Sequence, residues 1–222
     1  MSAYVLAIDT TSDVGSIALA SERGLLEEVA LESPDGFAHV LFDEIERLLE
    51  RHGLNVSQVD AFASASGPGS FTGVRVCLTA VKGLAEATGR KVIAVSNLQA
   101  LAWYGSRPLR AVVLDARRGE VYGGVYDAAL QLVQDEMVAT LPVWLASLPQ
   151  GDLEIITRGF PFSGATPPVV QAPKALAGSI SRIAFERLRN GEAVDPDEID
   201  ANYVRRSDAE LLWKDTLRSP VR

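Results

Sequence analysis

Histidine and cysteine, which supply many metal ligands and catalytic nucleophiles, are scarce in this chain of 222 residues. The single cysteine, Cys77, excludes a disulfide framework within the chain and fits a reducing compartment. The two histidines, His39 and His52, lie too far apart for the i, i+4 pair of a helical metal site. His39 does have Asp43 four residues later, but we interpret the two as a solvated pair on a helix surface. No metal site and no Ser-His-Asp or Cys-His arrangement is therefore expected.

Long apolar runs and an excess of basic residues are also lacking. No run approaches the roughly 18 residues that a membrane span requires, and no N-terminal stretch resembles a signal peptide. We therefore expect a cytoplasmic protein without membrane contact. The formal charge of −8 argues against the chain binding a polyphosphate by itself, so any role with nucleic acid is expected to work through a partner. The hydrophobic content of 47% is ample for a folded core.

What the sequence does contain is a pattern of α/β elements that occurs twice. Three short strands around VLAIDT, SIALA and LLEEVALE predict an antiparallel meander, and an amphipathic helix follows over about 37–50. Strands over 59–65 and 91–97 complete the first half, and a helix over about 98–104 follows the second of them.

The pattern restarts after residues 106–108 with AVVLDARRGEVYGGVYD, so Asp9 and Asp115 hold matching places at strand ends. We therefore predict two related α/β domains over residues 1–107 and 108–222, and one alternative is that the last twenty or so residues pack back on the first. The remaining elements expected in the second half are a strand in LQLVQDEMV, a helix over 143–148, a strand over 153–157, a connecting loop in FPFSGATPPVV and a helix over 174–190.

The stretch SGPGSFTGVRVCLTAVKGLA (66–85) follows an apolar strand and contains Gly67, Gly69 and Gly73. A helix that begins at Phe71 after a Ser70 cap could bind an anion at its N-terminus. However, the spacing matches neither the P-loop G-x-x-x-x-G-K-[ST] nor the dinucleotide fingerprint G-x-G-x-x-G. We favour a structural turn that starts a capped helix, and the phosphate cradle remains the alternative.

The helix that follows is apolar on two faces. One face carries Val74, Leu78 and Val81, and the other carries the smaller residues Ala80 and Gly83. The face of small residues would admit another helix at close approach, which favours a binding surface for a partner. The alternative is that both faces are buried within the monomer.

The two hairpins offer reduced nucleotide-binding signals. A phosphate-binding turn of the form D-x-G-[ST] needs glycine for close backbone approach, whereas this chain has Asp9, Thr10 and Thr11. Strong nucleotide binding by the chain alone is therefore not expected. In the second hairpin, the charged group around Asp115 and Arg117 either contacts an anion or forms a solvated turn.

Taken together, AIDTTSDVGSIAL, SGPGSFTGVRVCLTAVKGLA, VIAVSNLQALA and DARRGEVYGGVYD resemble the TsaB (YeaZ) family, and the resemblance covers most of residues 5–127. It implies two duplicated domains of the actin-like ATPase (ASKHA, ribonuclease H-like) fold. The closing element ANYVR resembles the family's P-x-Y-x-R, with Ala201 in place of the usual proline, and Asn97 stands where serine is usual.

The resemblance also implies a function and partners. It implies a noncatalytic scaffold subunit, required for threonylcarbamoyl transfer to adenosine 37 of tRNAs that read codons starting with A. The implied partners are the catalytic paralogue TsaD, the ATPase TsaE, a second copy when the chain is alone, and tRNA only through the complex. No cofactor is expected on this chain alone, although ATP or ADP could lie at the interface of the complex. The alternatives are an active carbamoyltransferase, a metal-dependent glycoprotease and a free-standing ATP-binding sensor.

On the same basis, site residues are predicted in two groups, and no catalytic or metal-binding residue is expected. The residues predicted at or beside the partner interface are Phe37, Leu41, Val76, Ala80 and Gly83. The residues predicted as vestigial nucleotide contacts are Asp9, Thr10, Thr11, Gly67, Gly69 and Asp115.

Overall fold

The computed structural model describes residues 3–34, 36–162 and 167–204. These residues form two five-stranded sheets and five α-helices, which confirms the α/β class. None of the helices in the described ranges has both the length and the apolar character needed to cross a membrane.

The first sheet begins with the predicted meander, in which three antiparallel strands follow one another along the chain. Two further strands then add in parallel to the first strand, which gives the order β3-β2-β1-β4-β5. Nearly every residue of its three central strands is buried, so helices cover both faces of this sheet. The strands are β1 (Tyr4–Asp9), β2 (Gly15–Ser21), β3 (Gly24–Leu31), β4 (Ala61–Ala65) and β5 (Lys91–Val95).

The second sheet has the order β10-β9-β6-β7-β8, which repeats the strand order of the first. Its strands are β6 (Leu109–Arg117), β7 (Glu120–Asp127), β8 (Leu132–Thr140), β9 (Leu153–Thr157) and β10 (Val169–Gln171). The prediction of a loop throughout FPFSGATPPVV is wrong for the last two residues, because β10 begins at Val169 and pairs in parallel with β9. Two β-branched valines and the free edge of β9 outweigh the prolines that precede them.

The helices are α1 (Leu41–Arg51), α2 (Phe71–Thr88), α3 (Asn97–Ala102), α4 (Leu141–Ala146) and α5 (Ala177–Arg189). The predicted start of the first helix is too early, because residues 37–39 form a separate 3-10 turn. The helix α2 begins at Phe71, as its sequence predicts. The Ser70 hydroxyl accepts a hydrogen bond from the Gly73 N–H, and Gly89 adopts the left-handed conformation that ends the helix.

The core runs through both sheets. Residues on one face of the second sheet, including Val112 and Ile156, join the large cluster formed by the first sheet and its helices. Their neighbours Val113 and Ile155 point the other way and pack with Trp144 of α4 in a smaller cluster. The alternation is the expected consequence of successive strand residues pointing to opposite faces.

The chain returns to the first sheet after it has completed the second. The helix α5 packs against all five strands of the first sheet, although it lies within the predicted second domain. Beyond it, Val194 pairs with Val92 of β5, and the Asn202 N–H donates to the Ser66 carbonyl over 2.7 Å. The predicted boundary between residues 107 and 108 remains a prediction. The last twenty or so residues, apart from 203 and 204, lie outside the described residues.

Candidate functional site

The end of β1 forms the centre of the candidate site. Asp9, Thr10 and Thr11 are all buried. One carboxylate oxygen of Asp9, Oδ1, accepts hydrogen bonds from the Thr11 N–H over 2.8 Å and from the Thr11 hydroxyl over 2.6 Å. Asp9 therefore caps its own turn, as a strand-terminal aspartate commonly does.

The glycine-rich turn packs directly on this hairpin. The Ser70 N–H donates to the Thr11 carbonyl over 2.8 Å, and the Thr10 hydroxyl donates to the Gly73 carbonyl over 2.6 Å. A Cβ at Gly73 would lie 2.0 Å from the Thr10 carbonyl oxygen, and one at Gly69 would lie 2.7 Å from that of Thr11. These two glycines thus allow the start of α2 to approach the first hairpin, and the space beside them is filled by the protein's own backbone.

Gly67 has a different role from the other two glycines. It adopts a φ of 99°, in the left-handed region that favours glycine, and precedes a cis peptide bond to Pro68. Its N–H donates to the side-chain oxygen of Asn97 over 3.2 Å. Gly67 therefore makes the turn itself, as the structural interpretation of the motif predicted.

Asn97 connects the two parts of the site, a role that the local sequence does not specify. It is fully buried, and its amide nitrogen donates to the Thr11 hydroxyl while its amide oxygen accepts from Gly67. The neighbouring residue Ser96 caps α3 by accepting from the Leu98 N–H. The local signal at this position is that two polar residues, Ser96 and Asn97, follow the apolar strand β5.

Arg158, at the end of β9, is the second residue that the sequence did not identify. Its guanidinium lies 3.6 Å from the other Asp9 oxygen, Oδ2, and donates to the Lys174 carbonyl over 3.0 Å. The Arg158 side chain is only 9% exposed. Since Asp9 Oδ2 has no hydrogen-bond partner within the described ranges, this charge is its nearest compensation.

Asp115 matches Asp9 in sequence but not in surroundings. It is exposed and accepts a hydrogen bond from the Arg117 N–H over 2.7 Å, within its own hairpin. Arg117 and Arg118 have φ values of 66° and 58°, which shape this tight turn. The structure therefore brings together five of the six predicted nucleotide contacts, and Asp115 lies on an exposed turn. None of the six has been tested as a contact, and the assignment remains a prediction.

The predicted interface residues differ widely in exposure. Leu41 and Ala80 are buried, and Phe37 and Val76 are partly buried against the core. Gly83 is exposed, and a Cβ placed on it would meet no atom within 4 Å. Their assignment to an interface remains a prediction, and of the five only Gly83 is exposed.

The first two helices border an apolar groove with a volume of about 330 Å³, and Leu84, the residue after Gly83, is part of its lining. Phe42 of α1 is 54% exposed at this groove. The residues that line the groove include Ile45, Leu49, Leu54, Val56 and Leu84. An apolar surface of this kind is typical of an interaction site.

Histidine and cysteine do not form a reactive site in the described part of the chain. His39 lies on the 3-10 turn before α1 and Asp43 in the first turn of that helix, and both are exposed. The described residues contain no cluster of three potential metal ligands. Burial raises the pKa of the Cys77 thiol, which donates to the Ala65 carbonyl within the core.

Glu136 of β8 joins the second sheet to the candidate site. One of its oxygens accepts from the Ser96 and Tyr126 hydroxyls, and the other accepts from the Asn202 amide over 2.5 Å. Burial, followed by the adjacent Glu136 charge, raises the pKa of Tyr126. The carboxylate therefore fixes β8 to the start of α3 and to the C-terminal element 201–204.

Comparison with known proteins gives consistent results over most of the chain. A family model described as TsaD, tRNA N6-adenosine threonylcarbamoyltransferase, matches residues 33–195. The chain is 29% identical to the tRNA threonylcarbamoyladenosine biosynthesis protein TsaB of Bacillus subtilis, over 94% of this chain and 97% of that protein. It is 39% identical to TsaB of Haemophilus influenzae, where the match spans 53% of this chain and 51% of the relative.

A solved structure agrees with this similarity. An uncharacterized protein described as similar to the peptidase YEAZ from Pseudomonas aeruginosa superposes with a TM-score of 0.76 at 30% identity. The match covers 91% of this chain and 100% of that structure. The similarity therefore extends to the second sheet as well as the first.

Proposed function

This chain belongs to the TsaB (YeaZ) family, within the broader group matched by the TsaD family model, and on that premise we propose a function in tRNA threonylcarbamoyladenosine biosynthesis. The proposed role is that of a noncatalytic scaffold subunit. It binds the catalytic paralogue TsaD and holds that enzyme in its working conformation. The modified position is adenosine 37 of tRNAs that read codons starting with A.

The observation that carries the noncatalytic role is the closed contact between the glycine-rich turn and the first hairpin. A phosphate-binding turn needs free backbone N–H groups and room for the anion. Here the Ser70 N–H is bonded to Thr11, and the Thr10 backbone fills the space beside Gly73. This close contact of the chain's own backbone supports the proposal that the turn is structural and that the chain alone does not bind nucleotide strongly.

The repeated strand order supports the proposed actin-like ATPase fold. Each sheet consists of a three-strand meander extended by two parallel strands on the side of its first strand. Such a repeat is what two duplicated domains would produce. In this proposal, ATP or ADP binds at the interface of the complex and not to this chain alone.

The surface formed by α1 and α2 supports the proposed partners. It combines the exposed Gly83, which admits close helix approach, with the adjacent apolar groove that Phe42 borders. We assign this surface to TsaD, and to a second copy of the chain when TsaD is absent. The ATPase TsaE then joins the heterodimer, tRNA is reached through the complex, and the proposed location is the cytoplasm.

Reconstitution of threonylcarbamoyladenosine formation tests this function. Unmodified tRNA and an activated threonylcarbamoyl donor are incubated with the chain alone, with TsaD and TsaE, and with all three proteins. Modified nucleoside is expected only in the complete mixture. Product at the same rate without the chain would refute the scaffold role.

The same experiment distinguishes the enzymatic alternatives. Turnover by the chain alone, with or without added divalent metal, would identify it as a catalyst. His39, Asp43, Asp9 and Asp115 would then be the residues to replace first. A nucleotide titration of the isolated chain separately tests the role as an ATP-binding sensor.

A further inference from the structure

The apolar groove between the first two helices has a rim of one charge sign. Two carboxylates, Glu46 and Glu50, belong to its lining, and no lysine, arginine or histidine is among the described residues that line it. Both are exposed, and in the described part of the chain neither forms an ion pair. Asp43, three positions before Glu46, is exposed on the same side of α1. We call Asp43, Glu46 and Glu50 the acidic rim.

The basic residues of α1 do not neutralise this rim. Arg47 forms an ion pair within the helix over 2.5 Å, and Arg51 and His52 both contact Glu27 of β3, over 2.7 Å and 2.9 Å. At 3.6 residues per turn, Arg47 and Arg51 lie about 140° and about 180° around the helix axis from Phe42. Their charges are thus engaged on the side of α1 that faces away from the groove.

The other walls of the groove add no unpaired positive charge. The helix α2 contributes Leu84, and Lys82, two positions earlier, lies about 160° away around the helix axis. Arg90 reaches the 3-10 turn 56–58 beside the groove, but its guanidinium lies 3.7 Å from the Asp60 carboxylate. The described surroundings of the groove are therefore apolar with a net negative charge.

A second copy and an unlike partner would meet the acidic rim differently. In a symmetric dimer each copy presents the same patch to the other, so two acidic rims would face each other across one interface. Like charges placed together act against a wrong partner, whereas opposite charges favour encounter with the right one. The rim therefore disfavours a second copy at a groove whose apolar lining would otherwise accept it.

We infer that the groove binds a helix whose apolar side chains are flanked by lysine or arginine, and that the acidic rim makes this helix the preferred occupant over a second copy. The inference rests on the proposed function, which makes TsaD the source of the helix. Recognition of a helix in a groove uses apolar anchors at positions i, i+3 and i+4. Basic residues beside those anchors would face Glu46 and Glu50. The apolar lining then provides the contact area, and the rim determines the choice of partner.

Charge reversal tests the rim directly. The double variant Glu46→Lys with Glu50→Lys should weaken TsaD binding at least tenfold at low salt, because attraction becomes repulsion. Asp135→Lys with Glu186→Lys is the matched control, because both carboxylates are exposed, neither lines the groove, and the net charge changes equally. The control should bind TsaD within about twofold of the wild type, since exposed charges elsewhere contribute little.

Salt dependence of the wild-type protein supplies a second measurement. Raising the salt from about 50 mM to about 500 mM screens exposed charges, so it should weaken binding to TsaD. The same change should leave the homodimer unchanged or strengthen it, because there it screens repulsion. A homodimer that weakens with salt as much as the TsaD complex does would overturn the inference.

A mixing experiment tests the choice of partner without TsaD. The charge-reversed variant and the wild type, carrying different tags, should form mixed dimers in preference to either homodimer, since an acidic rim then faces a basic one. Analytical ultracentrifugation and copurification at low salt measure the dimers. A statistical mixture of the three dimers would overturn the inference.

The outcomes separate this inference from the proposed function. Unchanged TsaD affinity in the reversed variant, with weaker binding by Phe42→Ser, would keep the groove as the interface and overturn the role of the rim. Unchanged affinity in both variants, or tighter binding by the reversed one, would overturn the inference as well. Weak TsaD binding by the reversed variant, in a reaction that does not need the chain, would refute the function and leave the inference standing. Thermal unfolding of each variant confirms that it is folded.

Discussion

Gly73 and Gly83 lie on the same helix, yet they have opposite surroundings. A Cβ at Gly73 would overlap the Thr10 backbone, whereas one at Gly83 would meet open space. We expect Gly73→Ala to lower the free energy of unfolding by about 2 kcal/mol through overpacking. Gly83→Ala should raise it by about 0.5–1 kcal/mol, because alanine is favoured over glycine within a helix. Urea denaturation of both variants measures this, and equal effects would contradict the close approach at Gly73.

The ion pair between Asp9 and Arg158 leads to a second prediction. Arg158→Met leaves the buried Asp9 carboxylate without its compensating charge, and we expect a loss of about 3 kcal/mol in unfolding free energy. The double variant Asp9→Asn with Arg158→Met should lose less than Arg158→Met alone, because no buried charge is then unpaired. A double-mutant cycle in denaturant measures the coupling, and simple additivity would show that the two groups do not interact.

Glu28 makes stability depend on pH. Burial is the main cause that raises the pKa of its carboxyl, although the Gly178 N–H donates to Glu28 over 2.8 Å. Because the folded protein holds this proton to a higher pH than the unfolded chain does, the free energy of unfolding should fall as pH rises from the ordinary glutamate pKa through the raised value.

Glu28→Gln tests this dependence, because glutamine keeps an acceptor for the Gly178 N–H but does not titrate. The unfolding free energy of the variant minus that of the wild type should increase as pH rises through that window, because only the wild type loses stability from this group. Denaturation curves from about pH 4 to 7 supply the measurement. A difference that does not change with pH would show that Glu28 is not desolvated in the folded state.

At this scale, the sequence identified residues whose partners are near in the chain. The role of Asp9 as a turn cap and that of Ser70 as a helix cap follow from patterns only a few residues long. Asn97 and Arg158 could not be found in this way. Asn97 bonds to Thr11 across 86 positions of sequence, and the partner of Arg158 is Asp9 in the other sheet. A local pattern does not specify contacts that the tertiary fold creates.

Among the secondary structure elements, α2 illustrates what the sequence could predict well. Its start after the Ser70 cap is a prediction that the structure confirms, and its end at the left-handed Gly89 has an equally local cause. The small strand β10 was missed for the opposite reason, since it exists because β9 offers a free edge. An element that depends on its neighbour in the sheet carries a weak signal of its own.

The exposed position of Gly83 leads to a prediction about α2 as a binding element. Gly83→Trp should leave the isolated chain folded, because nothing lies within 4 Å of the new Cβ, but it should prevent close approach of a partner helix. We expect copurification with TsaD to fall at least tenfold. Ala129→Trp, on the exposed turn between β7 and β8, places the same side chain away from α2 and should bind normally. Normal binding by Gly83→Trp would remove this residue from the interface.

For the whole molecule, the sequence predicted the repeat but not how the halves share their core. The signals of the two meanders are local, and the structure confirms the predicted strands of both halves and adds β10 to the second sheet. The position of α5 on the first sheet was not visible in the sequence. An amphipathic helix shows that it has an apolar face, but not which sheet that face will cover.

This arrangement predicts that the first half cannot fold alone. A fragment of residues 1–107 lacks α5, whose side chains Ile180, Ala184 and Phe185 are buried in the main cluster. We expect the fragment to be insoluble or to lack a cooperative thermal transition, whereas a chain that ends at residue 204 should unfold cooperatively. Circular dichroism and calorimetry on both proteins provide the test. A cooperative transition in the short fragment would support a domain boundary at 107.

The return of α5 also has a consequence for protein synthesis. The ribosome completes β5 at residue 95 but does not reach α5 until residue 177. At about 5–20 residues per second, the intervening 82 positions take about 4 to 16 seconds to translate. Throughout that interval we expect the apolar residues of the first half that α5 covers in the finished protein to lack that cover. The sheet whose strands are translated first is thus the last to receive its covering helix, and we expect the emerging chain to bind ribosome-associated chaperones until α5 leaves the exit tunnel.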